Sequence, residues 1–149
     1  MAAGPLLVYN RALNGLFDGS LPSLTTTPLS AVLLSPSHGV DLAAHETLAD
    51  ITADEIENPD YAPAEVTGER VEVDASGPCF HSDTINFGDP VTLGPARYVV
   101  LVCGAPGGLE ANSLLLGIAE LTSGGAVEAQ RSKFTVSPPA EGWFRLARG

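Results

Sequence analysis

Glycine and proline divide this sequence into short segments, and that division limits the folds that the chain can adopt. Of its 149 residues, 16 are glycine and 12 are proline. The intervening runs are apolar or alternating, with turn signals about every 8 to 15 residues, a length that suits β-strands better than helices. Because 44% of the residues are hydrophobic and only 17% are charged, we expect one globular domain over residues 1–149.

Two apolar runs give the strongest strand signals. Leu29–Ser35 is nearly continuously apolar and is bounded by proline on both sides, and Arg97–Cys103 is β-branched, aromatic and apolar on both faces. Arg97 is expected to pair with an acidic residue and so fix the register of its strand. Further strands are predicted over residues 70–74 (alternating, with one face in water), 79–87, 114–119, 133–136 and 143–146, with turns at 88–90 and 123–125. The predicted fold is mainly β: an antiparallel β-sandwich or barrel, jelly-roll-like, with one N-terminal α-helix and a long acidic loop region.

The helix is predicted over residues 5–18, within an N-terminal arm and helix that together span 1–20. Pro5 suits a first turn and Gly19 suits a helix stop. The helix has one apolar face, formed by Leu6, Tyr9, Leu13, Leu16 and Phe17. We predict that Leu6, Tyr9 and Leu13 contact a partner, and the alternative is that this face packs on the domain's own strands.

Charge is concentrated in one part of the chain. There are 18 acidic and 7 basic residues, and 13 of the acidic residues but only one of the basic residues lie between positions 41 and 89. A net charge of −11 argues against binding to nucleic acids or to anionic membranes, since both need a basic surface. Residues 36–65 are expected to form a long acidic excursion. Asp50, Asp54 and Glu55, in a turn with a predicted Thr52–Glu55 capping box, are candidates for binding a basic partner surface. The alternative is that the charge serves solubility.

Catalytic and metal-binding patterns are incomplete in this sequence. No nucleophile elbow, phosphate loop or His-Glu-x-x-His motif is present. Asp41 with His45, and His81 with Asp83, have the spacing of metal-ligand pairs, but neither has a third and fourth ligand. The acidic residues 50, 54 and 55 lack the loop pattern of a calcium site. We therefore expect neither an enzyme nor a cofactor.

The cysteines and the N-terminus bear on where the protein is made. Cys79 and Cys103 match no zinc or redox spacing, so we predict two buried thiols rather than a disulfide. No apolar run reaches the length of a transmembrane helix, and the first residues lack the basic start of a signal peptide. We therefore expect that the chain is made and kept in the cytoplasm unless a larger assembly carries it out.

Several phrases of the sequence resemble those of a family of small virion proteins from tailed bacteriophages and prophages. The order and spacing of these phrases hold over most of the chain, although a glycine-containing phrase of the family is replaced by residues 60–64. The matching phrases are Tyr9-Asn10 with Leu16–Gly19, Ala31–Ser35, His45 with Asp50–Ile56, Ala96–Val102, and Leu115–Ala119.

This resemblance implies structural work in the virion without catalysis. The expected role is that of a head decoration or cement protein, which binds the major capsid protein on the capsid surface and stabilises the shell. The resemblance also implies a homo-oligomer, with a trimer favoured. Two alternatives remain open: a tail or head–tail connector component that forms a ring, and a carbohydrate-binding module carried on the virion.

Overall fold

The part of the chain that the structure describes contains ten strands, one α-helix and three short 3₁₀ helices, joined by irregular segments. The structure, a computed structural model, describes residues 1–122 and 124–147. The elements are Leu7–Val8 (β1), Asn10–Asp18 (α1), Leu29–Leu34 (β2), Ala64–Val66 (β3), Arg70–Asp74 (β4), Gly77–His81 (β5), Ile85–Ala96 (β6), Tyr98–Cys103 (β7), Leu115–Glu120 (β8), Val127–Val136 (β9) and Phe144–Arg145 (β10). The paired strands are antiparallel, which confirms the predicted mainly β, sandwich-like fold with one helix.

The two apolar runs lie side by side in a five-stranded sheet of order β1-β8-β7-β2-β3. β2 pairs with β7 along its whole length, from Leu29 opposite Cys103 to Leu34 opposite Tyr98. All six residues of β2 are buried. A strand with a neighbour on each edge and cover on each face has no wet side, which is why both runs are continuously apolar.

One face of this sheet packs against the other strands. Leu29 and Leu33 of β2 and Leu101 of β7 point into a core that also contains Phe134 and Trp143. The covering strands form a β6–β9 pair and a three-stranded sheet of order β10-β5-β4. This layer gives the sandwich its second side.

The opposite face is covered by a segment with little regular structure. Residues 36–56, called here the cover segment, contribute Leu42, Leu48 and Ile51 to a second cluster. In this cluster the three side chains pack on Val32, Leu34, Tyr98, Val100, Val102 and Leu115. The predicted acidic excursion over 36–65 is two residues too long, because residues 64 and 65 belong to β3.

The predicted helix begins too early. Leu7 and Val8 pair with Ile118 and Gly117 on the edge of the sheet, so residues 7 and 8 form a strand and residues 5 and 6 precede it outside any helix. The helix begins at Asn10 and ends before Gly19, which has φ +78° and caps the helix as predicted. Pairing with β8 satisfies the backbone of Leu7, and this tertiary contact overrides the helical spacing of the leucines.

Two predicted boundaries between residues 79 and 90 are also wrong. The single strand predicted over 79–87 is two strands, since β5 ends at His81 and β6 begins at Ile85. The turn predicted at 88–90 lies inside β6, where the register against β9 shifts on both sides of Gly88. Irregularities of this kind let a strand continue through glycine and proline.

The turn predicted at 123–125 includes Ser123, which lies outside the described residues. No helix among residues 1–122 and 124–147 has the length and apolar character to cross a membrane.

Candidate functional site

The three apolar residues predicted to contact a partner occupy different environments. Leu6 and Tyr9 are 5% and 0% exposed and belong to the domain's own core. Leu6 packs so closely on Gly117 that a Cβ there would lie 2.7 Å from Leu6 Cγ. Leu13 is 38% exposed on the outer side of α1. The alternative, packing on the domain's own strands, therefore describes Leu6 and Tyr9, and only Leu13 is free for contact.

Leu13 belongs to an exposed apolar surface on α1. Leu16 is 40% exposed and Phe17 is 93% exposed, and these residues follow Leu13 at helical spacings of three and four. We call Leu13, Leu16 and Phe17 the helix patch. The helix turns its small residues, Ala12 and Gly15, toward the protein and its large apolar residues toward solvent, which is the reverse of an ordinary amphipathic helix.

The inner side of α1 is held by a close contact. A Cβ at Gly15 would lie 2.8 Å from Leu21 Cβ and 2.9 Å from the Leu21 backbone nitrogen. The loop after the helix can therefore approach only because residue 15 is glycine. This contact fixes the orientation in which the helix patch faces solvent.

A cleft joins the helix patch to the three-stranded sheet. Its volume is about 260 Å³, and its lining includes Leu16, Val71, Phe80, Phe144 and Leu146. Val71 and Leu146 are each about half exposed. The apolar surface therefore continues from the helix across the cleft to β4.

β4 is an edge strand whose five residues are all exposed. The sequence predicted one wet face, but Val71 and Val73 are exposed at 52% and 67%, because the described residues cover their side of the strand only in part. On the other face, Arg70 Nε lies 3.3 Å from Glu72 Oε1, and His81 Nε2 lies 2.9 Å from Glu72 Oε2. β4 thus presents an apolar face and a charged face to solvent.

The three acidic residues predicted to bind a basic partner have internal hydrogen-bond partners. Asp50 accepts the backbone N–H groups of Glu46 and Thr47, which hold the pKa of Asp50 below its usual range. The capping box is therefore formed by Thr47 and Asp50 rather than by Thr52 and Glu55. A carboxylate bonded in this way is a weaker candidate for an outside partner.

Asp54 and Glu55 are held in the same way. Asp54 Oδ2 lies 2.7 Å from Nδ1 of the buried His38. Glu55 accepts a hydrogen bond from the Tyr61 hydroxyl, and burial raises the pKa of Glu55. The first bond joins the two ends of the cover segment, and the second ties Glu55 to Tyr61, whose hydroxyl also accepts the backbone N–H of Leu33 in β2. The role of the three acidic residues in partner binding stays a prediction.

The histidines lie in two separate places. The rings of His38 and His45, both in the cover segment, are 5.5 Å apart, and His38 also lies against Tyr98. His81 and Asp83, predicted to share a strand face, are separated by the break after β5, and Asp83 Oδ1 instead lies 3.4 Å from Arg70 Nη1. In the part of the chain that the structure describes, no three His, Cys, Asp or Glu side chains are grouped to hold a metal ion.

The cysteines are free thiols, as predicted. Cys79 is buried as predicted, but Cys103, at the end of β7, is only half-buried, so the prediction of two buried thiols is wrong for Cys103. Burial raises the pKa of the Cys103 thiol to about 11, so it is protonated at neutral pH and unreactive as a nucleophile.

A larger groove of about 610 Å³ runs beside the N-terminal arm. Its walls are mostly alanine, leucine and backbone from residues 2–7 and from β8. Among the described residues that line it, Glu120 is the single ionisable carboxylate, and Arg97 Nη2 lies 3.3 Å from its Oε1. This ion pair confirms the predicted acidic partner for Arg97 across the β7–β8 register.

Comparison with protein-family models, with curated proteins and with solved structures found no match to this chain. The function therefore has to be argued from the surfaces described above. Sequence reasoning placed Leu16 and Phe17 on the correct helix face but did not include them among the partner contacts. It missed Val71 and Val73 because their alternation with charged residues is typical of a strand with one buried face.

Proposed function

We propose that this protein is a non-catalytic structural protein that binds a larger assembly through the helix patch. The observation that carries the proposal is the exposure of Leu13, Leu16 and Phe17, with Phe17 93% exposed. Fully burying a phenylalanine or leucine side chain contributes about 1.5–3 kcal/mol. Three such side chains on one helix provide a compact anchor for a partner surface.

The assembly that we propose is the head of a tailed bacteriophage, with this chain as a decoration or cement protein on its outer surface. The resemblance of the sequence phrases supports this choice of assembly. A small domain that binds across a seam between capsid subunits adds buried area only to the assembled shell. By mass action it then stabilises that shell against the pressure of packaged DNA. Many copies, each bound weakly, add up over the particle.

The net charge of −11 agrees with an outer position. A negatively charged protein gains nothing from contact with packaged DNA, since it offers few groups to replace the counterions of phosphate. The surrounding negative field instead favours a basic docking surface on the shell and raises the rate of encounter with it.

Binding of purified variants to phage heads that lack this protein tests the proposal. We expect Phe17→Ser to weaken binding at least about tenfold, since the exposed ring is the largest part of the anchor. Val40→Ser is the matched control, because Val40 is a 39% exposed apolar residue outside the helix patch. Equal binding by both variants and the wild type would show that the helix patch does not contact the phage head.

Two further results would replace the proposal by one of its alternatives. Rings of about six or more copies in negative-stain images would favour a head–tail connector. Clear hits on a glycan array, with no binding to heads, would favour a carbohydrate-binding module.

A further inference from the structure

The open edge of β4 carries backbone groups that no strand of the described chain pairs with. β4 and β5 form a hairpin whose closing pair is Asp74 and Gly77. Antiparallel neighbours alternate between pairs that exchange backbone hydrogen bonds and pairs that do not. Asp74, Glu72 and Arg70 therefore direct their N–H and C=O groups toward β5.

It follows that Val71 and Val73 direct theirs away from β5. Two hydrogen bonds on the far side of the hairpin support this assignment. Trp143 N donates to Phe80 O and Leu146 N donates to Pro78 O, so Phe80 and Pro78 face β10. Their partners across the hairpin are Val71 and Val73, which must face the open edge. β4 thus offers two N–H and two C=O groups to a further strand.

The side chains around this edge favour a second copy of the same chain. β4 reads Arg70-Val71-Glu72-Val73-Asp74. When two such strands run antiparallel about a two-fold axis through Glu72, Arg70 of each copy faces Asp74 of the other. The two valines of one strand also face the two valines of the other, so opposite charges and apolar groups are matched throughout except at the axis.

We propose that two copies of this protein associate by antiparallel pairing of their β4 strands, centred on Glu72. This register uses all four outward backbone groups of each strand and forms four hydrogen bonds. It extends the three-stranded sheet into a continuous six-stranded sheet across the dimer. This association goes beyond the proposed function and is independent of the helix patch.

Two other registers are poorer. A register centred on Val73 places Glu72 opposite Asp74 twice, which sets like charges against each other. A register centred on Val71 matches Arg70 with Glu72, but it moves Val73 beyond β4 of the second copy, opposite Glu69.

The chosen register places the two Glu72 carboxylates close together. Each of them already lies 3.3 Å from Arg70 Nε and 2.9 Å from His81 Nε2 of its own chain. The four backbone hydrogen bonds formed between the two β4 strands outweigh this single exposed contact between like charges. Glu72→Gln, which removes that contact, is expected to tighten the dimer.

Sedimentation equilibrium over about 10–500 μM protein, a range suited to a small interface, tests the association. We expect the wild type to pass from monomer to dimer. Val73→Pro deletes an outward N–H without removing a bond to β5 and is expected to weaken association at least about tenfold. Val73→Thr keeps the N–H and serves as the matched control, with a dimer like that of the wild type. A wild-type monomer at every concentration would overturn the proposal, and so would a trimer, because β4 pairing about a two-fold axis closes at two copies.

Cysteine cross-linking tests the register and does not depend on the proline variant. The background carries Cys79→Ser and Cys103→Ser, which prevents a disulfide between residue 72 and the Cys79 opposite it on β5. Glu72→Cys places two thiols across the axis in a pair that exchanges no hydrogen bonds, where Cα atoms are about 4.5 Å apart. We expect mild oxidation to give a covalent dimer of this variant and little of Val71→Cys. Cross-linking of Val71→Cys with none of Glu72→Cys would overturn the proposed register.

Discussion

β2 and β4 are strands of similar length in the same small domain, yet all six residues of β2 are buried and all five of β4 are exposed. β2 has a paired strand on each edge and a hydrophobic cluster on each face. In the part of the chain that the structure describes, β4 has one paired neighbour, β5, and its faces are covered only in part. Apolar side chains in β2 therefore stabilise the fold, whereas Val71 and Val73 in β4 are available for association. The difference arises from position in the sheets, which a strand's own residues encode only in part.

The largest effect is expected in β2. Leu33 is 0% exposed and points into the main core. We expect Leu33→Ala to lower the free energy of unfolding by about 2–5 kcal/mol, through lost burial and the cavity left behind. Chemical denaturation followed by circular dichroism measures this change. A loss below about 1 kcal/mol would mean that β2 is no more important to the core than an exposed strand.

The substitution Gly15→Ala tests whether the inner side of α1 is packed as tightly as β2. Alanine there improves helix propensity by about 1 kcal/mol. Its Cβ, however, would lie 2.8 Å from Leu21 Cβ, and overpacking of this kind costs about 1–3 kcal/mol. We expect Gly15→Ala to leave stability unchanged or to lower it by up to about 2 kcal/mol. The control is Asn14→Ala on the exposed side, where only the favourable change in propensity, a few tenths of a kcal/mol, applies. If Gly15→Ala stabilises the protein more than Asn14→Ala does, the close contact does not constrain the helix.

Glu55 lies beside the end of β2, and we expect it to make the stability of the protein depend on pH. Burial raises the pKa of this carboxyl group in the folded protein above its unfolded value. Its contribution to stability is therefore full below the unfolded pKa and is lost as pH rises through the folded pKa. Glu55→Gln, which resembles the protonated form, should make the protein more stable than the wild type at pH 7. The gain should disappear toward pH 4, where both proteins carry a neutral side chain.

Thermal unfolding of the two proteins across that pH range measures the difference. Glu57→Gln is a suitable control because Glu57 is an exposed carboxylate two residues away. If Glu55→Gln and Glu57→Gln respond alike to pH, the burial of Glu55 has no energetic consequence.

The smallest effect is expected in β4. Val73 is 67% exposed, so Val73→Thr should change the free energy of unfolding by less than about 0.5 kcal/mol. Dilute protein should be used, so that association does not add to the measured stability. A loss comparable to that of Leu33→Ala would show that Val73 is buried in solution and would end the distinction between the two strands.

The local sequence pattern was sufficient to predict those parts of the fold in which tertiary contacts favour the same conformation as the residues' own propensities. The runs at 29–35 and 97–103 are apolar on both faces, and such runs have few folded states other than a central strand. Gly19 was also predictable, since its left-handed conformation ends a helix in the way that glycine favours.

Prediction failed where a distant contact decided the conformation. Residues 5–8 fall within the predicted helix, yet pairing of Leu7 with Ile118, more than a hundred positions away, places residues 7 and 8 in a strand. The apolar pattern of Leu6 and Tyr9 could not show whether these side chains face a partner or enter the protein's own core. The exposure of Val71 and Val73 depends on how little of the described chain packs against β4, which no local pattern records. Likewise, the bonds of Asp54 to His38 and of Glu55 to Tyr61 follow from the path of the cover segment, not from the acidity of that stretch.

The cover segment has a consequence for the dynamics of the protein. It is held mainly by side chains and isolated hydrogen bonds, with few ladder pairings to the strands below it. Amides in such a segment can exchange their hydrogens through local opening, whereas those between β2 and β7 must wait for the whole domain to unfold. Amide hydrogens should therefore exchange slowly in the five-stranded sheet and faster in the cover segment. Each opening of the cover segment would briefly expose Val32 and Val100 to water.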